Sequence, residues 1–316
     1  MTVGYRPKFF LPTGAGKHGA LSKIDQYTVP ELIANEGASA AANSILYSGA
    51  LPIDASALFA LRALAQTDMV RIEKIPGGND RLPHAIAAKL RNQIMYGAKV
   101  VRIGQNAAEV YATIVENSSY HTFYADYMIC TLPFSMLRGM VIDTGFSDLK
   151  VQAIQEMNYA SVVKVAIETP NRYWEQDGLS GFAQTNQLSE IWSTARSEES
   201  NRGVLQFYQE GPLANHLDEL DQEERLHFAS QAIQTVFPKF EPDFSKVASY
   251  SWQEDQFAQG AYGVLAPRQL YKWFKAVASV EGRIHFAGEH TSPTPAFMQG
   301  AIASGHRAAN EVNVRD

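Results

Sequence analysis

The sequence predicts a mixed α/β (α+β) chain, and three observations carry that reading. A short apolar run, Ile284 to Ala287, stops at Gly288, and a small-residue helix follows beyond Pro293 and Pro295, so strand, turn and helix succeed one another. Two β-patterned segments, Ala98 to Ile103 and Glu109 to Val115, flank Gly104-Gln-Asn106 as in a hairpin. Beyond about residue 145 the patterning shifts to alternating strands followed by a polar helix, which marks a second region.

Taken in order, the chain begins with Gly14-Ala-Gly16-Lys-His-Gly19, which fits the dinucleotide fingerprint G-x-G-x-x-G. Its context does not, because Lys8-Phe-Phe-Leu-Pro12 is short and broken by proline, and Lys17-His18 put polar bulk where a helix would pack. A phosphate loop fails too, with Leu11 in place of the first glycine and His18 in place of Ser or Thr. The segment is expected to be a flexible loop. Residues 29–66 are helical in pattern, with Ala-rich stretches at 38–42 and 56–65 separated by Gly49-Ala-Leu-Pro52, and should form a cap of helices. Gly77-Gly78, the polar Asp80 and Pro83 in the first turn predict a capped helix running to Leu90.

Tyr124 to Pro133 predicts an apolar strand that ends at proline, with Cys130 in a buried position. Asn158 to Ile167 alternates and carries Lys164 among apolar neighbours, where a lysine is either edge protection or a buried amine with a task. Glu190 to Ser193 and Arg202 to Tyr208 are further strands, and a helix from about Asp218 to Phe237 is stopped by Pro238. Val247 to Gly263 is a strand and loop holding Trp252 and Tyr262. The last helix carries Gly300, Ala301, Ala303, Ser304, Gly305, Ala308 and Ala309, although glycine costs about 1 kcal/mol relative to alanine in a helix. Either something approaches its backbone closely or it packs tightly on a sheet. Its N-terminus suits electron-rich oxygens, and Glu289 in the preceding turn suits a ligand's hydroxyls.

At 316 residues, 46% hydrophobic and 19% charged, the chain can bury one large core or two modest ones. A net charge of -6 and dispersed basic residues give no reason to expect nucleic acid or an anionic membrane as partner, which leaves small molecules. The single cysteine allows no internal disulfide. There is no signal-peptide core at Met1 and no apolar run of ~18 residues, so a cytoplasmic protein is expected. His285, His290 and His306 do not make a metal site, since no Cys or carboxylate cluster converges with them.

Arg283 to Val312 resembles the closing FAD-binding motif of the flavin-containing amine oxidase family, of the L-amino-acid oxidase and monoamine oxidase type. Gly77-Gly78 with Leu82-Pro83, the step Asp126 to Pro133, and Tyr159-Ala-Ser161-Val-Val-Lys164 extend the likeness over residues 30–313. The resemblance implies an FAD-binding domain with a mixed-sheet substrate domain: a loop and helical cap at 1–66, FAD-binding parts at 67–145 and 276–316, and substrate binding at 146–275. It implies that Val100 holds the adenine by its backbone, that Gly288 and Glu289 meet the ribose and pyrophosphate region, and that the backbone around Phe297, Met298 and Gln299 faces the flavin pyrimidine ring. Trp252 then lies against the flavin, Lys164 holds a water beside N5, and Tyr262, Trp192 and Phe297 wall the substrate pocket. Ala261 stands where monoamine oxidases carry a cysteine bonded to the flavin, so the FAD is expected to be non-covalent.

The implied reaction is hydride transfer from the alpha carbon of an amine or L-amino acid to flavin N5, imine hydrolysis, and reduction of O2 to H2O2. The wording of Ala287-Gly-Glu-His-Thr291 and Tyr159 to Asp177 leans toward amino acids. An FAD-dependent amino-acid 2-monooxygenase would share every motif, and a non-catalytic partner subunit of a flavoprotein would share the fold. The family's opening strand and its own G-x-G-x-x-G precede the matching region, so the expectation is an FAD-binding domain incomplete at its N-terminus, with a second, smaller chain supplying that segment.

Overall fold

The computed structural model describes residues 21–39, 54–66, 75–90, 93–185, 189–194 and 201–314. The Gly14 to Gly19 loop and most of the Ala-rich stretch at 38–42 lie outside them. In chain order the elements are α1 (Val29–Asn35), α2 (Ala57–Gln66), α3 (Arg81–Leu90), β1 (Lys99–Gln105), β2 (Val110–Glu116), β3 (Ser119–Ala125), β4 (Met128–Cys130), α4 (Phe134–Leu137), β5 (Val141–Asp143) and α5 (Asp148–Glu156). There follow β6 (Asn158–Tyr159), β7 (Val162–Thr169), α6 (Tyr173–Gln176), β8 (Ala183–Gln184), β9 (Glu190–Ser193), β10 (Gly203–Glu210), α7 (Pro212–Asp218) and α8 (Gln222–Val236). The chain closes with β11 (Val247–Ser251), β12 (Gly263–Val264), α9 (Gln269–Trp273), β13 (Ile284–Phe286) and α10 (Met298–Asn313).

Local chemistry sets many of these boundaries. Thr28 and Glu31 form a reciprocal capping box at α1, with Pro30 in its first turn, and Asp221 with Glu224 does the same for α8. Gly77 and Gly78 take positive φ, 83° and 111°, ahead of α3.

The strands form a four-stranded sheet in the order β3-β2-β1-β5, a five-stranded sheet β11-β7-β10-β9-β8, and two pairs, β12-β6 and β13-β4, the last of them parallel. One core joins Ala55 and Phe59 to Ile103, Ile154, Trp273 and Phe286, while a second, around Val165, Trp174, Phe207 and Ile233, fills the space between the five-stranded sheet and α8. No helix among the described residues is long and apolar enough to cross a membrane.

Two expected strands are divided. Tyr124 to Pro133 breaks after Ala125: β3 folds back on β2 as a hairpin, and only Met128–Cys130 joins β13. The hairpin turns on Asn117 and Ser118, both with positive φ (49° and 66°), a turn that lacks the glycine by which such turns are usually noticed. Asn158 to Ile167 breaks at Ala160, whose N–H donates to the Tyr262 carbonyl (2.9 Å) and whose carbonyl accepts from Ala261 N–H (2.9 Å). Beyond the break, β7 lies between β11 and β10, so edge protection is not the reason for Lys164.

Lys150, on α5, is 0% exposed: its Nζ donates to the Val277 carbonyl (2.9 Å) and sits 3.7 Å from the Phe286 ring centroid. Burial lowers its pKa from 10.5 to about 7, against the upward pull of Glu281. Between those two values the unfolded chain holds a proton that the folded one lacks, so stability is lost as pH falls from 10.5 toward 7. Lys150→Met removes that penalty and one hydrogen bond. A gain of roughly 1–3 kcal/mol at neutral pH and a flatter stability profile up to pH ~10 are expected, read by urea denaturation at several pH values; an unchanged pH slope would refute the assignment.

Candidate active site

The five-stranded sheet has two unlike faces because side chains alternate along each strand. Val163, Val165 and Ile167 of β7, Leu205 and Phe207 of β10, and Ile191 of β9 are buried in the second core. The opposite face presents polar and aromatic groups. Pairing puts Tyr250 opposite Lys164, Lys164 opposite Tyr208, Tyr208 opposite Glu190, and Glu190 opposite Gln184, one residue from each strand in a single row. Trp192 stacks on Tyr208, with ring centroids 5.0 Å apart and planes 12° from parallel, and Lys164 Nζ lies 5.3 Å from the Tyr208 centroid.

Glu210, at the end of β10, ties this face together. Its Oε1 accepts from both the Tyr208 and the Tyr262 hydroxyls, the latter at 2.6 Å. Burial raises the Glu210 carboxyl above its ordinary range. The Glu190 carboxyl is pushed up to about 7, first by burial and then by the charge of Glu210. Burial depresses the Lys164 amine, and Glu210 pulls it back up. Lys164, Trp192 and Tyr262 are therefore brought into one cluster, together with Glu190, Tyr208 and Glu210, which the sequence reading did not single out. Only the alternation of β10, which puts Tyr208 and Glu210 two residues apart, hinted at them.

Trp252 follows β11: its N–H donates to the Val162 carbonyl (3.1 Å) and its ring meets Tyr250 edge-on at 5.0 Å. Val100 lies in β1, opposite Ile114, where the register slips before Arg102 and leaves Val101 as a bulge.

The C-terminal strand, turn and helix form as the pattern implied. Gly288 has φ 127°, where a Cβ would also strike His290 at 2.6 Å, and its N–H donates to Ser304 Oγ (2.8 Å). Glu289 is half-buried; its Oε1 accepts from Gly263 N–H (2.9 Å) and its Oε2 from Ala296 N–H (2.6 Å). Each oxygen therefore already holds a backbone donor, and a ligand hydroxyl would have to share it. Arg307 on α10 donates to the Phe286 carbonyl (2.6 Å) and to Thr291 Oγ1 (3.1 Å), locking helix, strand and turn together.

What approaches the helix backbone at Gly300 is the chain itself: a Cβ there would lie 1.9 Å from the Thr294 carbonyl oxygen. Gly305, by contrast, has nothing within 4 Å of the same position. Gly300→Ala is expected to cost about 2–3 kcal/mol and to displace the loop, whereas Gly305→Ala should be neutral or stabilising by up to ~1 kcal/mol. Thermal melts of the two variants compare them, and equal melting temperatures would contradict the geometry. Phe297 is the N-cap residue of α10, no side chain caps that end, and Met298 and Gln299 are exposed. Among the described residues the first-turn N–H groups therefore have no side-chain cap.

A small cavity is lined by Phe59, Arg62, Met157, Gly263, His290 and Pro293, and neither Lys164, Glu190, Tyr208 nor Glu210 is in its lining. No group of three or more His, Cys, Asp or Glu suited to a metal occurs among the described residues.

Comparison with known proteins gives a consistent family. The chain is 33% identical over 249 residues to YobN of Bacillus subtilis, 29% over 262 residues to the flavin-dependent L-tryptophan oxidase RebO of Lentzea aerocolonigenes, and 27% over 310 residues to the L-amino-acid oxidase of Pseudechis australis. These alignments cover 76%, 78% and 93% of this chain. The chain spans little more than half the length of those relatives, 52%, 54% and 59%. In fold it is similar to putrescine oxidase bound to putrescine (TM-score 0.80, 21% identity, 92% of this chain and 69% of that one). It is also similar to cyclohexylamine oxidase from Brevibacterium oxydans (TM-score 0.78, 18% identity, 97% and 76%). The family profile described as flavin containing amine oxidoreductase matches residues 31–313, nearly the whole chain, and the protein belongs to that family.

Proposed function

We propose that this chain is the larger part of an FAD-dependent oxidase that converts the CH–NH2 group of an L-amino acid or related amine to a carbonyl, with O2 reduced to H2O2. The observation that carries the reading is the polar face of the five-stranded sheet, where Lys164, half-buried and depressed in pKa, stands among Trp192, Tyr208 and Tyr262. The donor set fits FAD: a bulged β1 at Val100 for the adenine, Gly288 and Glu289 for the ribose and pyrophosphate, and the uncapped start of α10 at Phe297, Met298 and Gln299 for an electron-rich ring edge. Trp252 supplies an aromatic surface, and Ala261 has no nucleophile, so the cofactor is held non-covalently. When bound, FAD supplies the two-electron acceptor that O2 regenerates.

This chain's own residues orient and exclude. The aromatic walls fix the substrate's C–H bond and displace water, and the substrate enters with its nitrogen neutral. Lys164 holds a water that serves reoxidation or adds to the imine, and that addition breaks the carbon–nitrogen bond to give the carbonyl product and ammonia. Within this reading residues 67–145 and 276–316 make the FAD-binding half, 146–275 the substrate half, and 1–66 a loop and helical cap.

A second polypeptide carrying the G-x-G-x-x-G segment completes the FAD site in this proposal. It is supported by open apolar surface: α3 buries no residue and leaves Ile86 and Leu90 exposed, as are Ile129 on β4 and Ile302 on α10. The test is expression with and without a neighbouring small reading frame. Yellow protein only on co-expression supports both ideas, yellow protein from this chain alone removes the partner, and colourless protein in both removes FAD. Product analysis then separates keto acid plus peroxide from the amide plus carbon dioxide of a monooxygenase.

A further inference from the structure

We propose that Glu190 and Glu210 recognise a second positive charge on the substrate, so that the site favours an amine whose far end is itself an ammonium or guanidinium group. The inference rests on the oxidase reading and deepens it by naming the substrate class, a diamine or a basic amino acid.

The charge count on the polar face carries the argument. In the row Tyr250, Lys164, Tyr208, Glu190 and Gln184, Lys164 is the one basic side chain, and Glu210 adds a second carboxylate beside Glu190. Lys164 balances one of the two acids and leaves the other. Glu210 has the hydroxyls of Tyr208 and Tyr262 as donors, so those two groups are directed at an anion of the protein itself. Glu190 is only 9% exposed, and among the described residues its side-chain hydrogen-bond partner is Trp192. A carboxyl buried with so few partners costs free energy that a cationic ligand would recover. Burial and the neighbouring charge raise the Glu190 pKa to about 7, and a cation set against the pair would draw it down, so binding should release protons near neutral pH. The stacked Trp192 and Tyr208 rings offer the same charge an aromatic face.

The experiment uses the complete flavin-loaded protein and two near-isosteric pairs, cadaverine against pentylamine and L-lysine against L-norleucine. In the wild type the charged member of the reactive pair is expected to have a kcat/KM higher by roughly 10- to 100-fold, and whichever pair reacts distinguishes simple amine from amino acid. Glu190→Gln and, separately, Glu210→Gln should move that ratio toward one. Equal or better use of the uncharged member by the wild type would overturn the inference, as would an unchanged ratio in folded Glu190→Gln protein; if neither variant folds, the wild-type ratio decides. Calorimetric titration with cadaverine and L-lysine separates this inference from the reading beneath it. Tight binding of the charged ligands without oxidation of any of the four sinks the oxidase reading and keeps the cation site. Oxidation of pentylamine or L-norleucine with no binding of the charged ligands keeps the oxidase and sinks the site.

Discussion

Lys164→Met slows turnover by roughly 100-fold while the flavin stays bound, because a positioned proton-handling group contributes about that much and methionine keeps the stem's packing. The lysine lies on an interior strand with Tyr250 and Tyr208 opposite it, so the substitution removes a charge and three donors without opening a cavity. It also removes the one cation that steadies Glu210, whose carboxyl should move still further up. Rapid-mixing measurements, anaerobic for substrate oxidation and aerobic for reoxidation, show which half-reaction is slowed. Turnover within twofold of wild type would take Lys164 out of the mechanism.

Glu289→Ala has the largest expected effect on stability, a loss of about 3–5 kcal/mol. The side chain accepts from Gly263 N–H and Ala296 N–H, at 2.9 and 2.6 Å, and stitches β12 to the loop that leads into α10. Its removal leaves two part-buried donors without that partner, each costing about 1–3 kcal/mol, and frees Ala296, which is held at φ 65° where alanine is strained. Glu289→Gln should lose roughly half as much, since one oxygen still accepts while the amide nitrogen faces the other N–H. Burial outweighs both hydrogen bonds and raises the Glu289 pKa, so its titration favours the fold at low pH and that contribution is lost as pH rises through the folded value. Urea midpoints for the two variants test the ordering, and a loss below ~1 kcal/mol for the alanine form would exclude the stitching role.

Both effects were partly legible in the linear chain. Glu289 and Lys164 stood out, one in a glycine turn before a helix of small residues and the other as a lone charge in an apolar strand. What each touches was not legible. Glu289 meets Gly263, 26 residues earlier, and Lys164 meets Tyr208, 44 residues later, and no local propensity encodes such pairs. Gly300 shows the same limit: its smallness signalled a close approach, but only the folded loop shows that the Thr294 carbonyl makes it.

By itself the sequence determined most of the elements, because capping boxes at Thr28 and Asp221, the glycines before α3 and the alternation of β7 act within a few residues of chain, and the motif from Arg283 to Val312 carried the family. The tertiary structure alone decided that β7 is interior, that Ala125 ends one strand and Met128 begins another, and that Glu190, Tyr208 and Glu210 share a face with Lys164. The physical reason is register: a shift of one residue between paired strands exchanges the two faces of the sheet, and distant hydrogen bonds and core packing set that register.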